Sequence, residues 1–467
     1  MSHPPTIDVD VSSPTPRPGG TLQVVLLCGL CALLAFAILA FGATREWGTV
    51  ILQLGAAGLF LLWIASQVGA GELHLPDTPL LLPMIGLGLT IVVQLAFKTS
   101  AYAYATRKEF LVWLAYGFVF IVGAGVLSRE SAIRKFLAAV TAFGAALSTF
   151  AVVQSLTAGG KIYWRVLVTT VAQPYGPYIN HSHYAGLMEM LAPFGLVLCL
   201  DPYLSGTKRV LAGFAGLMMA ASIAFCRSRG GIVSLICELA FFAGYVLLST
   251  RQRRGIGWQA GILAAALLAA IAWIGPADVL EHMATLKAPL NPEVSGDRLT
   301  IAKDSMRMFR DRPLLGWGLD VFPIAYPKYR SFATEYRINA AHNDYVQLLV
   351  ETGIVGFSIL LVFLGLLYRK GFRNLRESKS PFRSDAVLAA LVGCTGLLVH
   401  SLSDFNLHIP ANAALFFVLC AIVTVTPVSQ AGSSRHFHAG ERRRSRVRRE
   451  ELQESGPLLI EGYREDN

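Results

Sequence analysis

The chain has 467 residues, of which 54% are hydrophobic and only 15% carry a charge, and its formal net charge is +10 at pH 7. A soluble globular protein carries roughly 25% charged residues, so this composition indicates apolar segments that cross a membrane. It excludes a disordered, collagen-like or disulfide-scaffold protein, and continuous apolar runs do not fit an outer-membrane β-barrel, whose strands alternate.

Apolar runs of about 20 residues predict an all-α polytopic integral membrane protein with about 12 transmembrane helices. The first run lacks a cleavage-site pattern, so we interpret it as a retained span. Residues 1–20 are predicted to be a disordered cytoplasmic N-terminus, residues 21–427 a membrane domain, and residues 428–467 a basic cytoplasmic tail. The predicted spans are 22–41, 48–69, 79–97, 109–127, 133–156, 184–200, 209–226, 231–249, 257–275, 352–368, 386–402 and 411–427.

Basic residues are concentrated in alternate loops, and cytoplasmic loops carry such an excess, so both termini are expected in the cytoplasm. The arginine-rich segment 442–449 follows the last span. We interpret it as a topology anchor or an anionic-lipid contact and not as a nucleic-acid site. The basic loops contain Arg129, Arg134 and Lys135; Lys208 and Arg209; Arg251, Arg253 and Arg254; and Arg369, Lys370, Arg373, Arg376, Lys379 and Arg383.

A large loop, residues 276–351, separates the ninth and tenth spans on the outer, periplasmic face. Long loops are usually functional. An amphipathic helix is predicted from Asp297 to about Arg310, and the aromatic segment 322–332 suits the membrane interface, a lid or an acceptor contact. The predicted apolar face of the helix consists of Leu299, Ala302, Met306 and Phe309.

All seven cysteines lie in or beside apolar runs, where a free cysteine behaves as a small hydrophobe. Cys28 and Cys31 form a C-x-x-C sequence inside the first span, without an acidic or histidine partner. Packing is therefore the preferred interpretation over a redox or metal site.

Arg227 and Arg229 lie in the short turn between the seventh and eighth spans, before Gly230 and Gly231. An arginine at the centre of a membrane helix costs about 2.5 to 3.5 kcal/mol on insertion scales, so its presence needs a reason. Two guanidinium groups beside a helix N-terminus match phosphate oxygens, which predicts diphosphate binding. The alternative is that both side chains extend to the lipid headgroups.

A second polar group, Ala341-His342-Asn343-Asp344-Tyr345, leads into the tenth span. Asn343 or Asp344 is a predicted N-cap, which places His342 at the outer end of the helix. An imidazole there can act as a general base, since its pKa ordinarily lies near neutral pH. The alternative is a histidine that only fills the interface.

Two further polar groups fall on the same predicted face. Asn180, His181 and His183 precede the sixth span, and hydrogen bonds to a sugar or phosphate are favoured over a metal because no nearby Cys or carboxylate completes a ligand set. Arg165 lies in the same outer loop. Asp404, between the last two spans, either orients a neighbour, pairs with an arginine or caps a helix.

These motifs together resemble the O-antigen ligase and polymerase superfamily of bacterial inner-membrane proteins, over roughly residues 25 to 427. The segment from Asp404 to Asn412 is similar to one frequent in polysaccharide-polymerase-like members. The other motifs that carry the resemblance are Tyr178-Ile-Asn180-His-Ser-His183-Tyr-Ala185, Ser228-Arg229-Gly230-Gly231, Gly316-Trp-Gly318-Leu and His342-Asn-Asp-Tyr345 through Glu351-Thr-Gly353.

The resemblance implies an inverting, metal-independent glycosyltransferase, without a cofactor, that acts at the periplasmic face on glycans carried by undecaprenyl diphosphate. Ligases use the lipid A core as acceptor, and polymerases use another glycan repeat unit. His342 and Arg229 match the family's catalytic histidine and arginine. Many relatives have arginine in place of His181, which weakens or relocates a diphosphate contact. Diphosphate binding is assigned to Arg227, Arg229, Arg165 and His181, with polar support from Asn180, His183, Asn343, Asp344, Tyr345 and Asp404.

A transporter or flippase of lipid-linked glycan is the alternative function. Transporters tend to place ionisable groups near the membrane midplane within internally repeated halves. The sequence shows no repeated half, and its polar groups collect at one face. Besides the glycan donor and acceptor, membrane lipids are the expected partners, and nucleic acid is not.

Overall fold

The computed structural model describes residues 20–69, 71, 75–168, 173–248, 298–334 and 337–426. Within these residues the chain forms thirteen α-helices, three short 3-10 helices and one antiparallel pair of two-residue strands. The 3-10 helices are Phe41–Ala43, Tyr326–Lys328 and Asn406–His408, and the strands are β1 (Lys161–Ile162) and β2 (Val166–Leu167). The α-helices are α1 (Gly20–Leu39), α2 (Glu46–Gly69), α3 (Leu81–Ala96), α4 (Ala103–Val126), α5 (Glu130–Thr157), α6 (His181–Leu200), α7 (Gly206–Phe225), α8 (Arg229–Leu248), α9 (Arg298–Asp311), α10 (Phe322–Ala325), α11 (Asp344–Glu377), α12 (Pro381–His400) and α13 (Pro410–Thr424).

The helical class is confirmed. Among the described residues, eight helices are long and apolar enough to cross a membrane: α1, α2, α4, α5, α6, α7, α11 and α12. Two further apolar helices, α3 and α13, are shorter. These helices make the chain a multi-pass membrane protein. The predicted span 257–275, the N-terminal segment before residue 20, residues 276–297 of the large loop and the basic tail lie outside the described residues.

Helices α6 and α12 form the centre of the bundle. In each, 83% of the apolar window is buried, whereas the figure for α2 is 22%. Helix α6 packs against α7 and α12, and α12 packs against α8. A Cβ added to Gly195 of α6 would lie 2.7 Å from the Gly216 backbone of α7, so the small residues bring these two helices into close contact. This central packing fixes the N-terminal end of α6.

Helix α11 is kinked at Gly353, which has φ 65° and ψ −167°. The kink receives the Gly-Trp-Gly turn: Trp317 N donates to Val350 O at 3.1 Å and Gly318 N donates to Glu351 O at 2.9 Å. Gln94 of α3 also donates from Nε2 to Glu351 O, at 2.7 Å. Two sequence motifs that lie far apart in the chain therefore form one docked unit.

The predicted helix of the large loop is present as α9, but its predicted apolar face is wrong. Leu299 is 59% exposed. The buried face includes Asp304, whose Oδ2 accepts bonds from Ser331 N at 2.9 Å and Tyr326 Oη at 3.3 Å. Because this buried carboxylate bonds to the aromatic segment, the helix turns a partly polar face inward. The residues of the buried face are Ile301, Asp304, Ser305 and Met308.

The aromatic segment begins in a small core of its own. Phe322 and Tyr326 are fully buried, and their rings stack with centroids 4.9 Å apart. Burial under α9 and Trp317 removes these two rings from the interface, lid and acceptor roles predicted for the segment.

At one end of the bundle, basic side chains connect several helices. Arg134 of α5 pairs with Asp201, which follows α6. Arg383 of α12 donates to Ser128 O at 2.9 Å and to Val425 O at 3.1 Å. These residues belong to the end of the bundle that the sequence predicts to be cytoplasmic.

Candidate active site

Asp404 is the centre of the polar cluster. It lies in the loop between α12 and α13 and is 2% exposed. Its Oδ1 is 3.8 Å from His183 Nε2 and 3.7 Å from His342 Nδ1. Both distances exceed a direct hydrogen bond but suit an ion pair once an imidazole is protonated. The loop thus brings a histidine in the first turn of α6 and a histidine just before α11 together with a carboxylate that follows α12.

Phe405 holds the two imidazoles apart. Its ring contacts His183 edge-on at a centroid distance of 4.7 Å and His342 at 5.2 Å. The Phe405 N–H donates to Asp404 Oδ1 at 2.9 Å. The aromatic ring therefore restrains the orientation of both imidazole rings relative to the Asp404 carboxylate.

Asp404 is ionised. Burial alone would raise its pKa, but the neighbouring imidazoles of His183 and His342 and the charge of Arg298 outweigh burial and place the pKa well below the ordinary range. The carboxylate thus places a negative charge close to both imidazoles.

His342 faces both Asp404 and the exterior. Its backbone is left-handed, with φ 52°, and its side chain is 32% exposed. Asn343 caps α11 as predicted, because its Oδ1 accepts from Tyr345 N and Val346 N, each at 3.0 Å. Since Nδ1 of His342 is directed at Asp404, Nε2 is the nitrogen that a substrate can reach.

Asp344 and Tyr345 connect the start of α11 to the neighbouring loop. Asp344 Oδ1 lies 2.6 Å from His408 Nδ1, and its Oδ2 accepts from Leu407 N at 3.1 Å. Tyr345 Oη donates to Leu398 O at 2.7 Å. These bonds hold His342 against the Asp404 loop, so the two residues support the site without forming its reactive face.

The start of α6 is fixed by amide side chains. Asn180 caps the helix by accepting from Ser182 N at 2.9 Å. Asn412 Nδ2 donates to His183 O at 2.9 Å, and Tyr178 Oη donates to Asn412 Oδ1 at 2.8 Å. The segment from Asp404 to Asn412 therefore carries Asp404 at one end and anchors the His183 backbone at the other.

The arginine turn adjoins α6 through serines. Ser228 Oγ is 3.2 Å from Ser182 Oγ and accepts from Gly231 N at 3.1 Å, which caps α8. Arg229 is half-buried at the first position of α8, whereas Arg227 is exposed with φ 58°. The turn thus places Arg229 at the same end of the bundle as His183 and Asp404.

The sequence interpretation missed Arg298. This residue opens α9, and its Nη1 donates to the carbonyl oxygen of Ser403, next to Asp404. Its charge also acts on both Asp404 and His400. The available signal was an arginine directly after Asp297, where the predicted loop helix begins, but the apolar residues of that helix give no indication of its partner.

His181 and Arg165 are both predicted to contact the diphosphate, but they lie in different parts of the structure. His181 interacts electrostatically with Asp404, His183 and His400, so it belongs to the cluster. Arg165 is exposed in the turn between β1 and β2, whose neighbouring Tyr163 packs against Phe41 and Phe150. The ring contacts of Tyr163 do not involve the Asp404 cluster, and the role of Arg165 stays a prediction.

The described residues contain no group of three or more His, Cys, Asp or Glu side chains arranged to hold a metal ion. The seven cysteines, all in described segments, are free thiols. The side chains that the cluster does present can stabilise anions through arginine and transfer protons through imidazole.

Residues 214–361 match the family model of O-antigen ligase. No curated protein matches the chain. The matched segment contains Arg229, Arg298 and His342, and it contacts Ser182 and Asp404, which lie outside it. This match supports the resemblance of the chain to the O-antigen ligase and polymerase superfamily.

Proposed function

We propose that the protein transfers a glycan from undecaprenyl diphosphate to an acceptor hydroxyl at the periplasmic face of a bacterial inner membrane, with inversion and without a metal. The observation that carries this proposal is the buried carboxylate of Asp404 between His183 and His342, at the end of the bundle that holds Arg229. The family match supports a glycosyltransferase of the ligase or polymerase type.

His342 is the general base of the proposed reaction. Its Nε2 takes the proton of the acceptor hydroxyl as that oxygen attacks the anomeric carbon of the donor sugar. The imidazolium that forms is stabilised by Asp404, whose Oδ1 lies 3.7 Å from Nδ1. The new bond joins the acceptor oxygen to the anomeric carbon, and the bond from that carbon to the diphosphate breaks. A single displacement of this kind inverts the carbon.

Arginines stabilise the departing diphosphate. Arg229 stands at the N-terminus of α8, where the helix end adds partial positive charge. Arg298 lies across the cluster beside Ser403, and the exposed Arg227 extends the positive surface. Positive groups already in place where charge develops lower the barrier without a metal ion.

The distribution of basic residues between the two ends of the bundle supports the proposed orientation. Arg134 and Arg383 lie at the end opposite the Asp404 cluster. Because cytoplasmic ends carry the excess of basic residues, that end faces the cytoplasm and the site faces the periplasm. Both termini are then cytoplasmic.

Ligase and polymerase differ in the acceptor. The segment from Asn406 to Asn412 resembles polymerase-like relatives, and its Asn412 is bonded to His183 and Tyr178. Deletion of the gene followed by analysis of surface glycans separates the two. Loss of all long-chain glycan on lipid A indicates a ligase, and a single repeat unit still attached indicates a polymerase.

The function is tested with purified protein, lipid-linked donor and acceptor. His342→Ala should lower kcat about 100-fold or more, since a positioned base contributes that much. Arg229→Lys should lower transfer about 10-fold or more although the charge is kept, because a point charge replaces a forked donor. Wild-type transfer by His342→Ala at matched expression contradicts the proposed base.

The same preparation in vesicles tests the transporter alternative. Glycan joined to an acceptor supports the enzyme. Movement of lipid-linked glycan between leaflets without any transfer indicates a flippase instead.

A further inference from the structure

One buried polar pair has no part in the mechanism above. His400, the last residue of α12, is 1% exposed in its side chain, and Glu189 of α6 is fully buried. His400 Nδ1 lies 2.8 Å from Glu189 Oε1. Ionisable groups inside a helical membrane protein are costly and usually functional, so this pair needs a reason.

The other edge of the His400 ring lies against the arginine turn. A Cβ built on Gly230 would come within 2.6 Å of His400 Nε2 and 2.7 Å of its Cδ2. No side chain fits between the ring and this backbone, which explains glycine at the position directly after Arg229. The imidazole therefore forms the surface on which the first turn of α8 rests.

The His400 backbone leads into the catalytic loop. Its carbonyl oxygen accepts from Asp404 N at 3.0 Å and from Ser403 N at 2.9 Å. One residue thus contacts the backbone beside Arg229 through its ring and the backbone of Asp404 through its carbonyl. A rotation of the ring would shift the two halves of the site relative to each other.

We propose that the Glu189–His400 pair is a positioning device that sets Arg229 relative to the Asp404–His342 pair. Glu189 accepts a hydrogen bond from His400 Nδ1 and so fixes the rotation of the imidazole. The fixed ring in turn determines the position of the first turn of α8. The inference rests on the proposed function, in which Arg229 acts on the diphosphate and His342 on the acceptor. Neither Glu189 nor His400 touches the reacting atoms in this proposal.

The test is a double-mutant cycle between His400→Ala and Arg229→Lys, measured as kcat and donor KM on purified protein. We expect His400→Ala to lower kcat about 10-fold with little change in donor KM, since misplacement costs the transition state most. In the His400→Ala background, the fold loss of kcat caused by Arg229→Lys should be at most a third of the fold loss that the same substitution causes in the wild type. If the fold losses of kcat from the two substitutions simply multiply in the double variant, the proposal is overturned.

Gly230→Ala gives a second, structural cycle. In the wild type the added methyl meets the imidazole, and we expect transfer to fall about 10-fold or more. In the His400→Ala background the methyl has room, so Gly230→Ala should cost less than about threefold. An equal cost in both backgrounds contradicts the contact between ring and turn.

Glu189→Gln keeps the size of the side chain and covers the case in which His400→Ala does not fold. It should lower kcat several-fold and reduce the effect of Arg229→Lys, whereas wild-type kcat overturns the role of Glu189. The control is Thr395→Val on the same helix as His400, which removes a 2.8 Å bond to Tyr368. Its effect on kcat should multiply independently with that of Arg229→Lys.

The failure of this inference is distinct from a failure of the proposed function. If His342→Ala is inactive and the fold losses of kcat in the cycles simply multiply, the proposed function is supported and the positioning role is contradicted. If His342→Ala transfers glycan like the wild type, the proposed function falls first.

Discussion

Asp404 Oδ1 lies 3.7 Å from His342 Nδ1, and the carboxylate is buried while the imidazole is about one-third exposed. The spacing suits an electrostatic partner that responds when the ring gains a proton. A direct hydrogen bond would be shorter. His183 stands at nearly the same distance from the same oxygen, so the carboxylate serves two rings from one position.

Asp404→Asn should lower kcat by about 100-fold or more, because the imidazolium formed during transfer loses its counter-charge and the preferred tautomer loses its partner. The measurement is kcat at saturating donor, with the melting temperature taken alongside to detect unfolding. Asp201→Asn is the control, since Asp201 is a buried carboxylate paired with Arg134 at the opposite end. Equal losses of kcat in the two folded variants would contradict a catalytic role for Asp404.

Arg298→Gln should reduce transfer about 10- to 100-fold, since it removes a positive charge beside Asp404 and the proposed diphosphate. Arg307→Gln provides the matched control on the same helix. Arg307 is largely exposed and its ion-pair partner is Asp304, three residues earlier. Transfer assays with purified protein compare the two, and equal activity of both variants would remove Arg298 from the site.

Local patterns in the sequence were sufficient for part of this site. The polar residue before an apolar run predicted the Asn343 cap, and the arginine and glycine pair predicted the start of α8. The partners of Asp404 were not predictable, because His183, His342 and Arg298 lie far apart in the chain and meet only through packing. The sequence pattern left three roles open for Asp404, and the contacts favour that of a partner for two histidines.

The error in α9 has a similar cause. Periodicity selected Leu299 and Met306 because they are apolar, yet the helix buries Asp304 and Ser305. Asp304 is bonded to Ser331 and Tyr326, residues beyond the end of the helix. A hydrophobic pattern cannot indicate a buried carboxylate whose partners arrive from a later segment.

Gly353→Ala should destabilise the protein by on the order of 2 kcal/mol or more, since φ is 65° and an added Cβ would lie within 2.7 Å of Leu315 N and closer still to the Leu314 carbonyl. Gly365→Ala is the control in the same helix, where an added Cβ meets no atom within 4 Å. Melting temperatures in detergent report the difference. A Gly353→Ala protein as stable as Gly365→Ala would show that the docked Gly-Trp-Gly turn does not depend on this kink.

The pair of His408 and Asp344 predicts a pH-dependent stability. Burial alone would lower the pKa of His408, but its bond to Asp344 and the nearby charges of Asp344, Glu351 and Glu109 raise it to about 9, from an ordinary value of 6.5. Protonated His408 therefore contributes stability that is fully present below pH 6.5 and is lost as the pH rises through about 9. The contribution is about 3.5 kcal/mol at most, since one pKa unit corresponds to about 1.4 kcal/mol.

The melting temperature of the wild type should accordingly exceed that of His408→Gln at pH 6, and the difference should shrink by pH 9.5. Asp344→Asn, which keeps His408 but removes the main partner charge, should move this loss toward pH 6.5. Melting curves of the three proteins in one detergent, at matched ionic strength, measure both effects. A difference between wild type and His408→Gln that stays constant from pH 6 to 9.5 would mean that folding does not raise the pKa of His408, which would contradict the predicted pH-dependent contribution of its pair with Asp344.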